Sequence, residues 1–327
     1  MISLGLDVSK AKLHLCLLRE ADGKQKTKVI ENTRAGVATR LDWLAHQGVE
    51  RPQVQVILEA TGVYHEAVTE ALYAAGIRVS VVNPAQVKRF AQGLAVRTKT
   101  DGVDAFTLAR FGHLVNPPAW EPPPPELREL RALLQRREAL SEDLRRERNR
   151  HETASLTTTP ARVLTSLEDS IAFLEQELAN LQGEIEAHLA RHDGLNADLQ
   201  LLTSIPAVGH KVGAQMLVVL RGQDFQRAEQ AAAYLGVVPI ERQSGTSVHG
   251  RPRLSKAGPS RVRKLLSMAA IVATRHNPHV KALYERLLAR GKSKLAALGA
   301  AMRKLVHLCF GVLKTRTPYQ AEYAKAA

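Results

Sequence analysis

Leu164, Leu167, Ile171, Leu174, Leu178, Leu181 and Ile185 recur at alternating spacings of three and four, and no other stretch restricts the fold so tightly. Three heptads of a and d positions bury an apolar seam only if a second helix lies along it. A partner helix is at hand upstream. Leu127, Leu130, Leu134, Leu140 and Leu144 form an approximate seam in a charged segment that carries eight arginines between Arg128 and Arg150. Residues 157–160 (TTTP) break the two helices apart. They can pair as a hairpin within one chain or between chains, and a protruding hairpin that dimerises is the natural outcome.

Pro117, Pro118 and the run Pro122 to Pro125 mark a boundary on the N-terminal side. The sequence therefore divides into an α/β domain over 1–120, a coiled-coil linker and dimerisation segment over 121–195, and a basic, mostly α-helical domain over 196–327. In the first domain, residues 2–8 (ISLGLDV) and 13–18 (LHLCLL) read as strands around a short polar turn, SKAK. A third strand is expected over 27–30, a helix over 36–46, and an apolar interior strand over 54–59 (VQVILE). A helix over 61–76, a strand over 78–84 and helices over 86–92 and 103–114 follow. Strands first, then helix alternating with strand, predict a mixed sheet with helices on its faces.

Charge is unevenly placed. The net charge is +14, yet Arg242 to Arg316 alone holds 17 Lys or Arg against the single acid Glu285, a balance of +16 that leaves about −2 for the rest. Solvated surfaces usually mix both signs, so the C-terminal third is expected to contact a polyanion, and nucleic acid is the partner that fits. Aromatic residues make up only 4%, which argues against base-stacking platforms. No uninterrupted apolar run approaches the ~20 residues of a membrane span, so no membrane partner is expected. Cys16 and Cys309 sit in apolar stretches and form no disulfide or zinc pattern, which fits a cytoplasmic, reducing compartment.

Four acids stand out. Asp7 ends the first strand and Glu59 ends the long apolar one, so the two point to one sheet edge if those strands are neighbours. Asp101 and Asp104 lie three apart at a helix start, which puts them on one face. Taken alone, Asp101 is as readily a helix N-cap, and Asp7 a turn residue. Glu59 is harder to dismiss, because an acid closing an apolar strand is costly without a partner. Four clustered acids need cations, and Mg²⁺ suits them, as a hard ion that keeps waters and phosphate oxygens. Two such ions can polarise a phosphodiester and stabilise the leaving oxygen.

A second constellation lies at 235–266, LGVVPIERQSGTSVHGRPRLSKAGPSRVRKLL, where a polar loop precedes a basic helix. Ser244, Thr246 and Ser247 are flanked by Arg242, Arg251, Arg253 and Lys256, and Lys256, Arg261, Arg263 and Lys264 can follow a phosphate backbone. A hydroxyl among cations can attack a phosphate, since the cations stabilise the oxyanion. Spacing alone favours a phosphate-gripping loop without covalent chemistry, and Tyr234 is a rival nucleophile in a packed-core context. Residues 204–213 (SIPAVGHKVG) partly match a helix-hairpin-helix turn, with Gly209 alone of the expected glycine pair and Lys211 beside it.

GLDVSKAKLHL, LEATGVYHEAV, SVVNPAQVKRFAQG and RTKTDGVDAFTLA resemble the RuvC-like (RNase H-type) domain of DEDD insertion-sequence transposases, the insertion sequence one-ten group related to the Piv invertases. The resemblance extends from Asp7 to about Gly311. It implies that Asp7, Glu59, Asp101 and Asp104 are the four metal-binding catalytic carboxylates. It also implies that Ser244, in S-G-[ST]-S-V-x-G followed by L-S-K-A-G, is a nucleophile forming a covalent phosphoserine link to DNA. The same resemblance implies a composite site between protomers of a homo-oligomer, a dimer that becomes a tetramer in the synaptic complex. It further implies an element-encoded structured guide RNA that reads donor and target DNA. Rival readings are a RuvC-like nuclease or junction resolvase that uses water, an actin- or sugar-kinase-like ATPase, and a catalytically silent scaffold.

Overall fold

Alternation gives β1 (Ile2–Val8) one wholly apolar face: Leu4 and Leu6 are fully buried, while Ser3, Gly5 and Asp7 point to the other side. β1 turns through Ser9, whose amide and hydroxyl both reach the Lys12 carbonyl, into β2 (Lys12–Leu18), and β3 (Gln25–Glu31) follows. These three strands are antiparallel. After α1 (Arg34–His46), β4 (Val54–Glu59) returns parallel to β1, and after α2 (Glu66–Ala74), β5 (Arg78–Val82) lies parallel to β4. The sheet order is β3-β2-β1-β4-β5. This order, with α3 (Pro84–Gly93) and α4 (Asp101–Val115) following, is an RNase H-like fold.

The computed structural model describes residues 2–19, 24–60, 62–96, 98, 100–244 and 248–322, with backbone alone for part of α1 and for most of residues 242–251. The chain divides into two compact units, residues 1–122 and 123–327. In the first, Leu4, Leu6, Val56 and Leu58 meet Leu44 of α1 and Val68 and Leu72 of α2. On the opposite face Ile57 packs with Leu108 and Phe111 of α4. The helix expected over 61–76 is shorter. Gly62 takes a left-handed φ of 56° and residues 62–65 form turns, so α2 begins only at Glu66.

The second unit opens with α5 (Pro125–Ser155) and α6 (Ala161–Arg191), which pair as an antiparallel hairpin inside one chain. Arg137 donates to Gln182 at 2.9 Å, Arg148 pairs with Glu175 at 2.6 Å, and His188 reaches the Glu126 carbonyl at 2.8 Å. Of the seven heptad residues only Ile185 is buried, and Leu164 to Leu181 remain half-exposed. The outer half of α5 offers them Glu147 and His151 in place of leucines.

Beyond the hairpin come α7 (Asp193–Thr203), α8 (His210–Arg221), α9 (Ala228–Tyr234), β6 (Pro239–Ser244), β7 (Val248–Leu254), α10 (Ser260–His276), α11 (Pro278–Ala289) and α12 (Lys294–Thr315). Their leucines, valines and alanines share one core with Leu127, Leu130, Leu134, Ile185 and Leu189 of the hairpin root. Asp198, 1% exposed, is gripped by Arg221 Nε at 2.5 Å and by Arg316 Nη1, which ties the ends of α8 and α12 to α7. α12 is long and apolar enough to cross a bilayer, but Arg303 and Lys304 sit at its middle and Leu305, Val306 and Cys309 are buried in this core. Cys16 and Cys309 are free and buried, and burial pushes their thiols up to about 11 and about 12.

Candidate active site

Gly5 sets the geometry of the acid cluster. A Cβ there would fall on the Ala105 carbonyl oxygen and the Ala109 amide nitrogen, so α4 crosses β1 at backbone contact. A Cβ at Gly112 would stand 3.5 Å from Ser3 Oγ and one at Gly5 would meet Ala105 and Ala109, so α4 runs back along β1. Two residues further along the strand is Asp7, about 6.6 Å on. Four residues back along the helix is Asp101, about 6 Å in the same direction. Asp7 shares the Gly5 face of the sheet, so it meets the start of α4 and its two acids.

Asp7 and Glu59 each follow the paired residues Leu6 and Leu58, which makes them neighbours on adjacent parallel strands. Asp101 is not the helix cap: Thr100 Oγ1 accepts from the Val103 amide at 3.3 Å, leaving the Asp101 carboxylate to face the sheet. There it lies 3.1 Å from His14 Nε2. His14 is the residue directly opposite Asp7 on β2. Sequence reasoning passed over it, although the signal was present: a turn closing on Val8 and Leu13 makes Asp7 and His14 the next pair.

The electrostatics follow from this crowding. Burial pushes the Asp7 carboxyl above the ordinary carboxylate range, and the negative charges of Asp101 and Asp104 push the same way. His14 and the Val8 amide pull it back. The donors are oxygen-rich and short of positive charge, which fits a hard divalent ion. Among the described residues no three Asp, Glu, His or Cys side chains converge closely enough to hold an ion by themselves. An ion that keeps much of its water shell needs no closed cage.

The serine-containing loop is a hairpin. β6 and β7 pair antiparallel, with Ser244 opposite Val248 and an irregularity between Ile240 and Arg242. Ser244 thus ends β6 beside the three-residue connection, and Thr246 and Ser247 lie outside the described residues, as do the side chains of Arg242, Ser244 and Arg251. The SKAG segment is clamped at the hairpin base. Gly236 and Gly258, both left-handed at φ 69° and 68°, leave no room for side chains against Ala257 and Tyr234.

Arg253, Lys256, Arg261 and Lys264 are exposed. Arg263 turns inward and donates to the carbonyls of Ala257, Gly258 (3.0 Å) and Leu235 (3.3 Å). Lys211, exposed in the first turn of α8, lies 3.8 Å from Glu138. In the partial hairpin turn before it, Ala207 takes the left-handed conformation, φ 78°, where a glycine is missing. Tyr234 is 41% exposed and meets Phe225 edge-on, while Leu235 and Val237 beside it are buried.

Two family models match this chain: one described as a transposase, of the DEDD type, over residues 4–159, and one described as the transposase IS116/IS110/IS902 family over residues 199–285. The pilin gene-inverting protein of Moraxella lacunata is 31% identical over 97% of this chain and 97% of its own length. The chain belongs to the IS110 transposase family. A 43.6 kDa protein of insertion element IS110 from Streptomyces coelicolor is 30% identical over 49% of this chain and 38% of its own. Among solved structures, Thermus thermophilus RuvC matches at 20% identity and a TM-score of 0.28, covering 36% of this chain and 99% of that one. That similarity is too low to add to the sheet order. As an IS110-family member the chain is a DNA-processing enzyme of transposition or recombination, and its DEDD class implies a divalent metal.

Proposed function

We propose that this transposase cuts and rejoins DNA through a covalent phosphoserine at Ser244, with Mg²⁺ held by Asp7, Glu59, Asp101 and Asp104. The observation that supports the metal assignment is the half-buried Asp7 carboxyl, set beside Glu59 by the strand register and crowded by the charges of Asp101 and Asp104, a crowding that a cation would relieve. Bound there, Mg²⁺ supplies Lewis-acid polarisation of the scissile phosphate and of the hydroxyl that attacks it. The chain's own residues do the rest. His14 holds the Asp101 carboxylate toward the sheet, and Thr100 caps α4 so that both helix acids stay available. Ser244 Oγ, at the end of β6, forms the new O–P bond as the DNA O–P bond breaks, its proton passing to the departing DNA oxygen, and reversal with a second DNA hydroxyl returns the proton and restores the serine. Arg253, Lys256, Arg261 and Lys264 carry the DNA backbone, and Lys211 contacts phosphate at the α7–α8 turn.

Ser244 and the four acids belong to different units, and we infer that the acids of one protomer serve the serine of another. The half-exposed leucines of α6 supply a seam for a second hairpin, giving a dimer and, with two DNA partners, a tetramer. Donor and target are read by an element-encoded structured RNA, which leaves shape and backbone to the protein. The cytoplasm, with its reducing poise, suits the two free thiols. DNA inversion, the activity named for the Moraxella relative, is one outcome of the same strand exchange.

The test is to trap covalent protein–DNA adducts from a cell-free reaction and map them by mass spectrometry. An adduct on Ser244, lost in Ser244→Ala together with recombination, is expected. One observation favours a second reading, a nuclease that uses water: the four carboxylates lie within the first unit alone. Continued Mg²⁺-dependent cleavage by Ser244→Ala, with no adduct in the wild type, would establish that reading instead.

A further inference from the structure

On α12, Lys304, His307, Leu308, Gly311 and Val312 follow at helical spacing and form one wall of a cavity of about 400 Å³. His279, at the start of α11, and residues 317–320 close it from the other side. No acid is among the described residues that line it. Leu308, Val312 and Pro318 make part of the lining apolar, while a cation, two imidazoles and a phenol converge on the same space. A few polar groups set in an apolar wall is the make-up of a small-ligand site, and the volume lies within the usual range.

Two features show that the cavity is built and not a packing fault. The Tyr319 hydroxyl lies 2.7 Å from His279 Nδ1 and donates to Asn277 Oδ1 at 3.1 Å. Asn277 is fully buried, donates to the Pro206 carbonyl at 3.3 Å and accepts from the Val280 amide at 3.2 Å, so the phenol is anchored from behind. The second feature is Gly311. It sits inside α12, where glycine weakens a helix relative to alanine, and a Cβ there would meet nothing within 4 Å. No neighbour requires a glycine. What its absent side chain leaves is open space on the cavity floor.

We propose that this cavity receives one unpaired nucleotide of bound nucleic acid, its phosphate at Lys304 and its base over Gly311 against Leu308 and Val312. Lys304 has no ion pair among the described residues and lies within the segment whose balance is +16. The space exceeds what a lone phosphate fills, and the apolar wall suits the face of a base. Burial lowers His279 and His307 below the usual histidine range; Lys304 adds to this at His279, and at His307 Arg303 and Lys304 act the same way while Glu229 opposes them. His279 Nδ1 is taken by the Tyr319 hydroxyl and His307 Nε2 accepts from Arg303 Nε at 3.4 Å, so each ring has one nitrogen left for a base edge. The inference rests on the family's action on DNA, and it stands or falls independently of the Ser244 and metal assignments.

The experiment compares short single-stranded oligothymidylate with an abasic strand of the same length, by fluorescence anisotropy on the full-length protein. The wild type is expected to hold the base-bearing strand roughly fivefold or more tightly. Gly311→Leu fills the floor and should abolish that preference without lowering the melting temperature. Lys304→Gln should weaken both strands alike and reduce the salt slope by about one. Deoxy and ribo versions of the strand distinguish DNA from RNA as the source, and either supports the pocket. An unchanged preference in Gly311→Leu overturns the proposal. If that variant folds poorly, 4-thiothymidine cross-linking to the wild type decides: adducts in the peptides holding 279 or 304–320 support the site, and adducts only elsewhere reject it.

Discussion

Replacing Gly5 with alanine tests the contact that brings the acids together. The added methyl would overlap the Ala105 oxygen and Ala109 nitrogen and stand 3.0 Å from the Ala105 carbonyl carbon. All three are backbone atoms of a helix, so no side chain can swing aside. Restoring ordinary contact requires α4 to lift from β1 by roughly an ångström or more. Overpacking of this kind costs typically 1–3 kcal/mol, and more where backbone must move. For a unit of 122 residues that corresponds to a fall of several degrees in melting temperature. The same lift carries Asp101 and Asp104 away from Asp7, and an ångström of misplacement costs on the order of 100-fold in rate. Thermal unfolding and strand-transfer rate are both measured, with Gly102→Ala as reference. A Cβ at Gly102 meets nothing within 4 Å, so that variant should melt no lower than the wild type. A Gly5→Ala protein with wild-type melting and wild-type activity would refute the reasoning.

Asp7 holds its proton more tightly in the folded, metal-free protein than in the unfolded chain; the stability this contributes is greatest at acid pH and is lost as pH rises through the folded value. Asp7→Asn should therefore raise the metal-free melting temperature at pH 7, while Mg²⁺ stabilises only the wild type, by about 2.7 kcal/mol at a concentration 100 times Kd. Asp198→Ala leaves two half-exposed arginines that can turn to water, so its cost in urea unfolding should be about 2–3 kcal/mol, below the 3–5 of a fully buried pair. Arg263→Ala should lose about 1–3 kcal/mol of stability through its carbonyl contacts. Arg261→Ala should leave stability unchanged and lower the salt slope of DNA binding by about one, and the reverse pattern would show that the two arginines were assigned the wrong way round.

The sheet and its acids were legible because strand period and hairpin arithmetic depend on near neighbours. Leu4, Leu6, Val56 and Leu58 declare a buried face, and the adjacency of Asp7, one residue from the end of β1, and Glu59, at the end of β4, follows from the parallel register. The choice between a hairpin and an intermolecular coil was not legible, since heptads specify a partner seam and not whose seam it is. The strands at 239–244 and 248–254 were hidden by Gly250 and Pro252, which argue against a strand, and by the irregularity at Ile240 and Arg242. Arg263 reads as one more cation of a basic helix. Only the fold reveals that three carbonyls of the SKAG turn and the end of α9 lie within reach of its guanidinium.

On the proposed assignment, holding DNA and reacting with it fall to separate parts of the chain, for electrostatic reasons. The cations of residues 242–316 attract phosphate over a Debye length and release counterions on contact, so binding there needs no metal and weakens with salt. The acid cluster does the reverse. With Asp7 raised by burial and then by Asp101 and Asp104, it repels a phosphodiester until a divalent ion neutralises it. Placing Ser244 among the cations and the carboxylates on the sheet and α4 of the first unit keeps the two environments apart. The cut is then made only where two such parts are brought together around a metal ion.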